Sequence, residues 1–240
     1  MAKRPIYIST IEGDILVTTQ YVEFQWFPGM AVSQKQKSID SLHTSAMQLP
    51  DITKMLEISS KSREPIGVAL SAFNLMISTV KFNRTFSVES AYQSSKVFEH
   101  GGPFLDILEK TSIEAKKDPR IQESGRLVGF RFFGVNWELE PLTAFYDWLY
   151  INALKKQPTY ADQIRDYSAF TDIEFNPERS INCQAYSVAL FVSLQRRNLL
   201  DYATSSKSAF LEVVTKAVVS NARQDESVQA GLPLNPILQP

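Results

Sequence analysis

Residues 56–98 read LEISSKSREPIGVALSAFNLMISTVKFNRTFSVESAYQSSKVF, and they carry the strongest structural signals in the chain. In LEIS and in GVALSAFNLMISTVKF, apolar and polar residues alternate, a period that predicts short strands. Ser87 is a favourable N-cap, and residues 88–100 contain neither Gly nor Pro before a Gly pair. We therefore expect short strands followed by one helix of about three turns over 88–100.

The predicted helix carries a stripe of polar residues. Glu89, Tyr92, Gln93 and Lys96 stand at i, i+3, i+4 and i+7, so one face would present a carboxylate, a phenol, an amide and an amine. Such a face can line a polar pocket. The alternative is an ordinary solvated face, which the same residue types also suit.

The flanking segments extend the pattern to an α+β fold, a predominantly helical single domain with a small β-sheet. Residues 5–27 alternate β-branched or aromatic residues with polar ones, which predicts two or three strands. Helices should dominate after residue 87, in FLDILEKTSIEAKK, PLTAFYDWLYINALKK, NCQAYSVALFVSLQRR and AFLEVVTKAVVSNA. In the third of these segments, one buried helical face is predicted by the spacing of Ala185, Val188, Ala189 and Val192.

The domain organisation follows from composition. No internal repeat or strong break in composition occurs, so we expect a β-rich extension over 1–55 packed on a core domain over 56–223. Residues 224–240 contain three prolines, which exclude a helix or a central strand and predict an extended tail.

Composition also excludes several classes of protein. A net charge of -1 argues against a large basic surface that grips DNA, so any contact with nucleic acid should be local. No signal peptide or long apolar run is present, so we expect a cytoplasmic protein that does not bind or span a membrane. The single Cys183 should be a buried structural thiol, and His43 and His100 have no metal-ligand spacing. His100 precedes a Gly pair, so we expect it to be structural.

Two loop carboxylates stand further along the chain. Asp172 and Glu174 lie in AFTDIEFNPERS, which its Asn, Pro and Ser content predicts to be a loop, and Asn182 begins the next helix. A carboxylate in such a loop can also serve only to form a turn.

These residues together resemble the NADAR family. That family continues from a first strand through LSNF into a helix reading S-x-E-x-x-F/Y-Q-x-x-K. Here LSAF occupies 70–73, and the helix motif falls on Ser87, Glu89, Tyr92, Gln93 and Lys96. A later aromatic-Gly-Asp loop and a G-x-N-x-L-G motif are matched loosely around Asp172 and Asn182, with Thr171 and Ser180 in place of glycines. The resemblance covers roughly residues 56–200.

Three other segments resemble the branch of the family that is paired with DarT toxins. They are EFQWFPGMAVSQKQKSIDSLH, FRFFGVNWELEPLTAFYDWLY and FTDIEFNPERSINCQA. The resemblance implies a toxin that ADP-ribosylates the amino group of guanine in DNA, and an antitoxin hydrolase that removes the ADP-ribose. It also implies two partners, ADP-ribosylated DNA and the cognate DarT-type toxin.

The resemblance assigns roles to the polar stripe. Lys96 would attack the opened ribose as a neutral amine and form a Schiff base, or would only hold a phosphate as a cation. Glu89 would move protons or hold a ribose hydroxyl, and Asp172 would orient ribose hydroxyls or act as general acid and base. The expected substrate-binding residues are Ser62, Ser71, Phe73, Tyr92, Gln93, Trp137 and Asn182.

Other features of the site remain open at this level. Arg84, Arg131 and Arg179 are candidates for phosphate binding, and no spacing selects among them. No cofactor is expected, since neither a GxGxxG motif nor a P-loop occurs. The alternatives are an N-glycosidase of small ribosylamino metabolites and a non-catalytic antitoxin that masks its toxin.

Overall fold

A computed structural model describes residues 1–79, 83–178 and 180–217. Within these ranges, the strands are Ala2–Ser9 (β1), Val17–Phe24 (β2), Met55–Glu57 (β3), Met76–Thr79 (β4), Arg84–Ser87 (β5), Lys96–Phe98 (β6), Leu127–Phe132 (β7), Val135–Trp137 (β8) and Ala169–Thr171 (β9).

The helices of the same ranges lie between these strands and after the last of them. They are Val32–Ala46 (α1), Pro65–Ala69 (α2), Val88–Ser94 (α3), Ser112–Lys116 (α4), Arg120–Glu123 (α5), Ala144–Lys155 (α6), Pro158–Ile164 (α7), Gln184–Arg196 (α8), Leu200–Ala203 (α9) and Lys207–Lys216 (α10), with a 3₁₀ turn at Leu105–Glu109. The α+β fold class is confirmed.

The largest sheet has the strand order β2-β1-β9-β3. β1 and β2 form an antiparallel hairpin over their full length, and β9 pairs antiparallel with β1 and parallel with β3. Helix α1, which was not predicted, packs Ile39 and Leu42 against Ile6 and Phe24 of the hairpin. The sheet therefore joins residues 2–24 to residues 55–57 and 169–171.

Helices α6 and α8 form the centre of the main core. Ala185, Val188, Ala189 and Val192 are fully buried, so the face predicted for this helix is confirmed. Cys183, at the start of α8, is also buried as predicted. At the C-terminal end of α8, Arg197 donates to the backbone carbonyls of residues 10, 12, 13 and 15. These bonds tie the β1–β2 turn to α8.

Two smaller sheets surround the region that carries the polar stripe. β4 and β5 form one hairpin, and β6, β7 and β8 form a three-stranded antiparallel sheet. The strands β7 and β8 were not predicted. No helix in the part of the chain described is long and apolar enough to cross a membrane.

The structure corrects three predicted elements. The GVAL run begins inside helix α2 and is not a strand; Pro65 occupies the first turn of α2, where its missing N–H costs nothing. The segment 104–117 is not one helix, because the chain leaves the 3₁₀ turn at Lys110 and Thr111 caps α4 anew. Of AFLEVVTKAVVSNA, residues up to Lys216 are helical, and residues 218–222, like the predicted tail, lie outside the described residues.

The helix after Ser87 is also shorter than predicted. α3 ends at Ser94, and residues 96–98 form strand β6 instead of a third turn. The hydroxyls of Ser94 and Ser95 both donate to the carbonyl of Ala91, a side-chain bond that competes with helix continuation. The carbonyl of Ser95 then accepts from the amide of Arg131, so pairing with β7 replaces the next helical bond.

Candidate active site

The start of α3 is fixed to the LSAF segment. The Ser87 side chain accepts from the amide of Ser90 at 3.0 Å, the N-cap bond that the sequence predicted. The amide of Glu89 donates to the carbonyl of Ala72 at 2.9 Å. Ser112 Oγ lies 2.9 Å from the carbonyl oxygen of Phe73 and 2.7 Å from Ser87 Oγ. The helix and the LSAF segment are therefore one rigid unit.

Glu89 is buried on the inner side of α3. Its side chain is only 7% exposed, and its Oε1 accepts from Gln93 Nε2 at 2.9 Å. Gln93 Oε1 is buried without a hydrogen-bond partner among the described residues. A solvated face is therefore the wrong interpretation of this part of the stripe, because both polar groups are inside the protein.

Lys96 reaches the same place from a different element. It is the first residue of β6, opposite Phe130, and not the i+7 residue of a helix as predicted. Its Nζ lies 4.9 Å from the centre of the Tyr92 ring, a cation–π contact. Among the described residues, Nζ has no hydrogen-bond or ion-pair partner.

The environment of Lys96 favours the neutral amine. Burial lowers the pKa of Lys96 to about 8, the Glu89 carboxylate acts against this change, and the Lys116 cation adds to it. A lysine with this pKa is about one-tenth neutral at pH 7, whereas a free lysine is almost wholly charged. The geometry thus supplies a nucleophilic amine beside a carboxylate.

Tyr92 is the aromatic floor beneath this amine. Its ring packs against Phe130, Phe145 and Tyr146, at centroid distances of 5.5, 6.3 and 5.1 Å. Its hydroxyl accepts from Asn182 Nδ2 at 2.6 Å, which brings the segment that leads into α8 to the stripe. Burial raises the pKa of Tyr92, so its phenol stays neutral.

Asp172 lies at the end of β9, beside a second carboxylate. Its Oδ1 accepts from the amides of Glu174 and Phe175, at 3.0 and 3.2 Å, the contacts of a turn former. Burial, followed by the negative charge of Glu57, raises the pKa of Asp172 well above its usual range. Burial also raises the pKa of Glu57. The pair therefore gives up its first proton less readily with burial than two carboxyl groups in water do.

Glu57 was not predicted from the sequence. Its Oε2 accepts from Thr171 Oγ1 at 2.6 Å and its Oε1 from the amide of Ile173 at 2.8 Å. Thr171 Oγ1 also lies 2.9 Å from His43 Nε2, and burial lowers the pKa of His43 to about 4. One signal in the sequence could have pointed to Glu57: it lies between two apolar residues, Leu56 and Ile58, both of which are fully buried in the structure.

Gln184 was missed as well, and it links the separate parts of the site. Its Oε1 accepts from the amide of Ala72 at 2.7 Å, and its Nε2 donates to the carbonyl of Ile58 at 2.6 Å. It also hydrogen-bonds Asp172. Tyr146 lies between the two halves, since both the Glu89 and Asp172 charges act on it.

The remaining predicted residues are divided between this region and the core. Phe73 faces the amine of Lys116, with Nζ 5.4 Å from its ring centre. Ser71 is buried, and its hydroxyl has no partner among the described residues. Ser62 is buried at the start of α2, where its hydroxyl accepts from the amide of Glu64 at 3.2 Å. Trp137 packs on Phe145 at 5.6 Å.

The arrangement separates Trp137 and the arginines from the amine. Phe145 lies in contact with both Trp137 and Tyr92, so Trp137 is one ring removed from the stripe. Arg84 and Arg131 line a cavity that includes none of Glu89, Lys96 or Asp172. Arg179 lies outside the described residues. Within the described ranges, no group of three or more His, Cys, Asp or Glu side chains is placed to hold a metal ion.

Comparison with known proteins gives one family. Residues 2–224 match a family described as DarT1-associated NADAR antitoxin. A search of curated proteins finds no match.

Proposed function

Because the chain belongs to the DarT1-associated NADAR antitoxin family, we propose that this antitoxin is a hydrolase that removes ADP-ribose from the amino group of guanine in DNA. In this role it reverses the modification made by its cognate DarT-type toxin. The observation that carries the proposal is the Lys96 amine, which is partly buried over the Tyr92 ring and whose pKa is about 8 beside buried Glu89.

The proposed reaction exchanges one amine for another. The N-glycoside opens to an imine between the anomeric carbon and the guanine nitrogen, and the neutral Lys96 amine adds to that carbon. The two protons that the lysine amine loses pass in turn through Glu89 to the guanine nitrogen, and the bond from carbon to guanine breaks. Water then adds to the lysine imine, which releases ADP-ribose and restores the amine.

We assign supporting roles to the groups around the amine. Asp172, held by Gln184 and beside Glu57, orients ribose hydroxyls or exchanges a proton with the sugar. Gln93 Oε1 and Ser71 Oγ are buried polar atoms without partners among the described residues, so each has a bond to offer a ligand. The proposed contacts of substrate also include Ser62, Phe73, Tyr92 and Asn182, and Trp137, predicted as a further contact, would support the Tyr92 ring through Phe145.

Two substrates test the activity. DNA carrying ADP-ribose on guanine and DNA carrying it on thymidine are incubated with the purified protein, and free ADP-ribose is measured. We expect release from guanine alone. Release from thymidine and not from guanine contradicts the assignment, and release only from small ribosylamino compounds points to a metabolite N-glycosidase.

Borohydride tests the mechanism. Added during turnover, it should reduce the imine and leave ADP-ribose covalently attached to Lys96, which peptide mass spectrometry locates. Lys96→Arg keeps the charge but has no nucleophilic amine at neutral pH, so it should abolish both trapping and turnover. Lys117→Arg, at an exposed lysine, is the matched control and should behave as wild type. Turnover by Lys96→Arg would leave the lysine only an electrostatic role.

The same position separates catalysis from masking of the toxin. A masking antitoxin protects cells without any catalytic lysine, whereas a hydrolase does not. We expect cells that express the toxin to lose protection when Lys96→Ala replaces wild type at equal protein level. Protection by a folded and fully inactive Lys96→Ala protein would show that the antitoxin acts by binding.

A further inference from the structure

A cavity lies beside the polar stripe, and the proposed reaction does not use it. Its volume is about 300 Å³, at the lower end of the range for small-ligand pockets. We call this cavity the flanking pocket. Its lining includes Arg84, Phe86, Leu105, Arg131, Phe132 and Phe133. Its walls are mostly aromatic and aliphatic, and none of its described lining residues is acidic.

Two guanidinium groups stand at this apolar pocket. Arg84 is more than half exposed, and its contact with Glu109 is long, 3.7 Å. Arg131 is oriented by a bond from its Nε to Asn136 Oδ1 at 2.8 Å, which leaves its terminal nitrogens for another acceptor. An aromatic pocket with two arginines matches a group that has both a flat ring and a phosphate.

Phe133 is an unusual residue at its position. It and Gly134 are the two central residues of the β7–β8 hairpin turn, with φ of 44° and 83°. Turns with two positive φ values favour Asn, Asp and Gly, and an aromatic residue there is sterically strained. Its ring contacts those of Phe132 and Phe86, at centroid distances of 4.5 and 6.4 Å, yet Phe133 is still 54% exposed, so much of the ring is free for a ligand. Strained and exposed side chains of this kind concentrate at functional sites.

The flanking pocket adjoins the reactive lysine through the backbone. Ser94 and Ser95 line it and directly precede Lys96, and consecutive Cα atoms are about 3.8 Å apart. The amide of Arg131 donates to the carbonyl of Ser95 at 2.7 Å, so the pocket wall and β6 are held together. A ligand that extends beyond the guanine at Lys96 would meet this pocket next.

We infer that the flanking pocket binds the nucleotide next to the modified guanine in a single DNA strand, with its base stacked on Phe133 and its phosphate held by Arg84 and Arg131. The inference rests on the proposed function. It agrees with a net charge of -1, since a local pair of arginines needs no broad basic surface. It also gives the antitoxin a means to distinguish DNA from free ADP-ribosyl nucleosides.

The first test is binding of an unmodified single-stranded oligonucleotide, measured by fluorescence anisotropy. Phe133→Asn removes the ring but suits the turn, so it should fold at least as well as wild type while binding the oligonucleotide at least about fivefold more weakly. Arg131→Gln should weaken binding and reduce its dependence on salt. The exposed residues Tyr202 and Arg165 give the controls Tyr202→Ala and Arg165→Gln, which should bind as wild type. Equal binding by wild type and both pocket variants overturns the inference.

The second test compares two substrates of the same chemistry. Phe133→Asn should lower kcat/KM at least about fivefold for ADP-ribosylated DNA and leave it unchanged for ADP-ribosylated guanosine, which has no neighbouring nucleotide. An equal loss on both substrates would place part of the ADP-ribose in the pocket and overturn the inference. If wild type cleaves neither substrate, the proposed function fails, and the oligonucleotide measurement still decides whether the pocket binds DNA.

Discussion

Replacing Lys96 by Met should stabilise the protein while it abolishes activity. The pKa of Lys96 is about 8 in the folded protein and 10.5 in an ordinary lysine, so holding the cation in this place destabilises the fold. Since each unit of pKa difference corresponds to about 1.4 kcal/mol, the cost is about 3 kcal/mol at pH 7. Met keeps a long unbranched chain and carries no charge.

The gain should depend on pH in a defined direction. Between pH 8 and 10.5 the unfolded wild type binds more protons than the folded one, so the stability of wild type rises with pH in this window. The advantage of Lys96→Met should therefore fall from about 3 kcal/mol at pH 7 to about 1 kcal/mol at pH 9.5. Urea unfolding at the two pH values gives both differences.

A lysine in water supplies the matched comparison. Lys117 is exposed at the end of α4, so Lys117→Met should change the free energy of unfolding by no more than about 0.5 kcal/mol, equally at both pH values. The reasoning is refuted if Lys96→Met is no more stable than wild type at pH 7. It is refuted as well if the gain is the same at pH 7 and pH 9.5.

Three further outcomes follow from the same contacts. Glu89→Gln removes the group that carries protons to the guanine, so turnover should fall about 100-fold or more. Because this carboxylate also opposes the low pKa of Lys96, the inflection of the pH–rate profile should move below pH 8. Lys116→Gln removes a cation, so the same inflection should move upward, and a shift in the same direction as for Glu89→Gln would contradict the electrostatic account. Tyr150→Phe leaves the buried carbonyl of Leu70 without its donor, so the free energy of unfolding should drop by about 1–3 kcal/mol in urea titrations, and no change would mean that this carbonyl finds another donor.

The long, locally determined elements could be predicted from the sequence. The spacing of Ala185, Val188, Ala189 and Val192 specifies a buried face without reference to any other part of the chain. The β1–β2 hairpin is similar, since its strands are neighbours in sequence and alternate clearly. Glu89 and Gln93 are one helical turn apart, so their contact also follows from local geometry.

Lys96 shows where a local pattern is misleading. Nothing between Ser87 and His100 breaks a helix by composition, and the prediction of a third turn was wrong because β7 offers a competing partner. That partner lies about 30 residues later and was not recognised as a strand. Lys96 still lies beside the polar residues of α3, because the start of β6 places its amine over the Tyr92 ring.

Glu57 and Gln184 could not be assigned by spacing at all. Glu57 and Thr171 are 114 residues apart, and Gln184 and Ile58 are 126 apart, so each contact exists only after distant segments pack. The period of apolar residues in a helix or strand predicts which face a side chain lies on, and it does not predict which distant residues that side chain contacts. The half of the site around Asp172 therefore depends on tertiary structure.

The central position of β9 bears on how the antitoxin is made in the cell. Strand β1 leaves the ribosome before β9, yet the neighbour that pairs with its free edge is residues 169–171 of β9. At ordinary rates of translation, roughly ten to thirty seconds separate the two, and during this time the β1–β2 hairpin has an unpaired edge that invites aggregation or proteolysis. The arrival of β9 closes the sheet and, in the same event, places Thr171 against Glu57 and Asp172 at the strand end. A nascent chain thus acquires its main sheet and one half of its candidate site together, once β9 has been made, and a product that stops before residue 169 has neither.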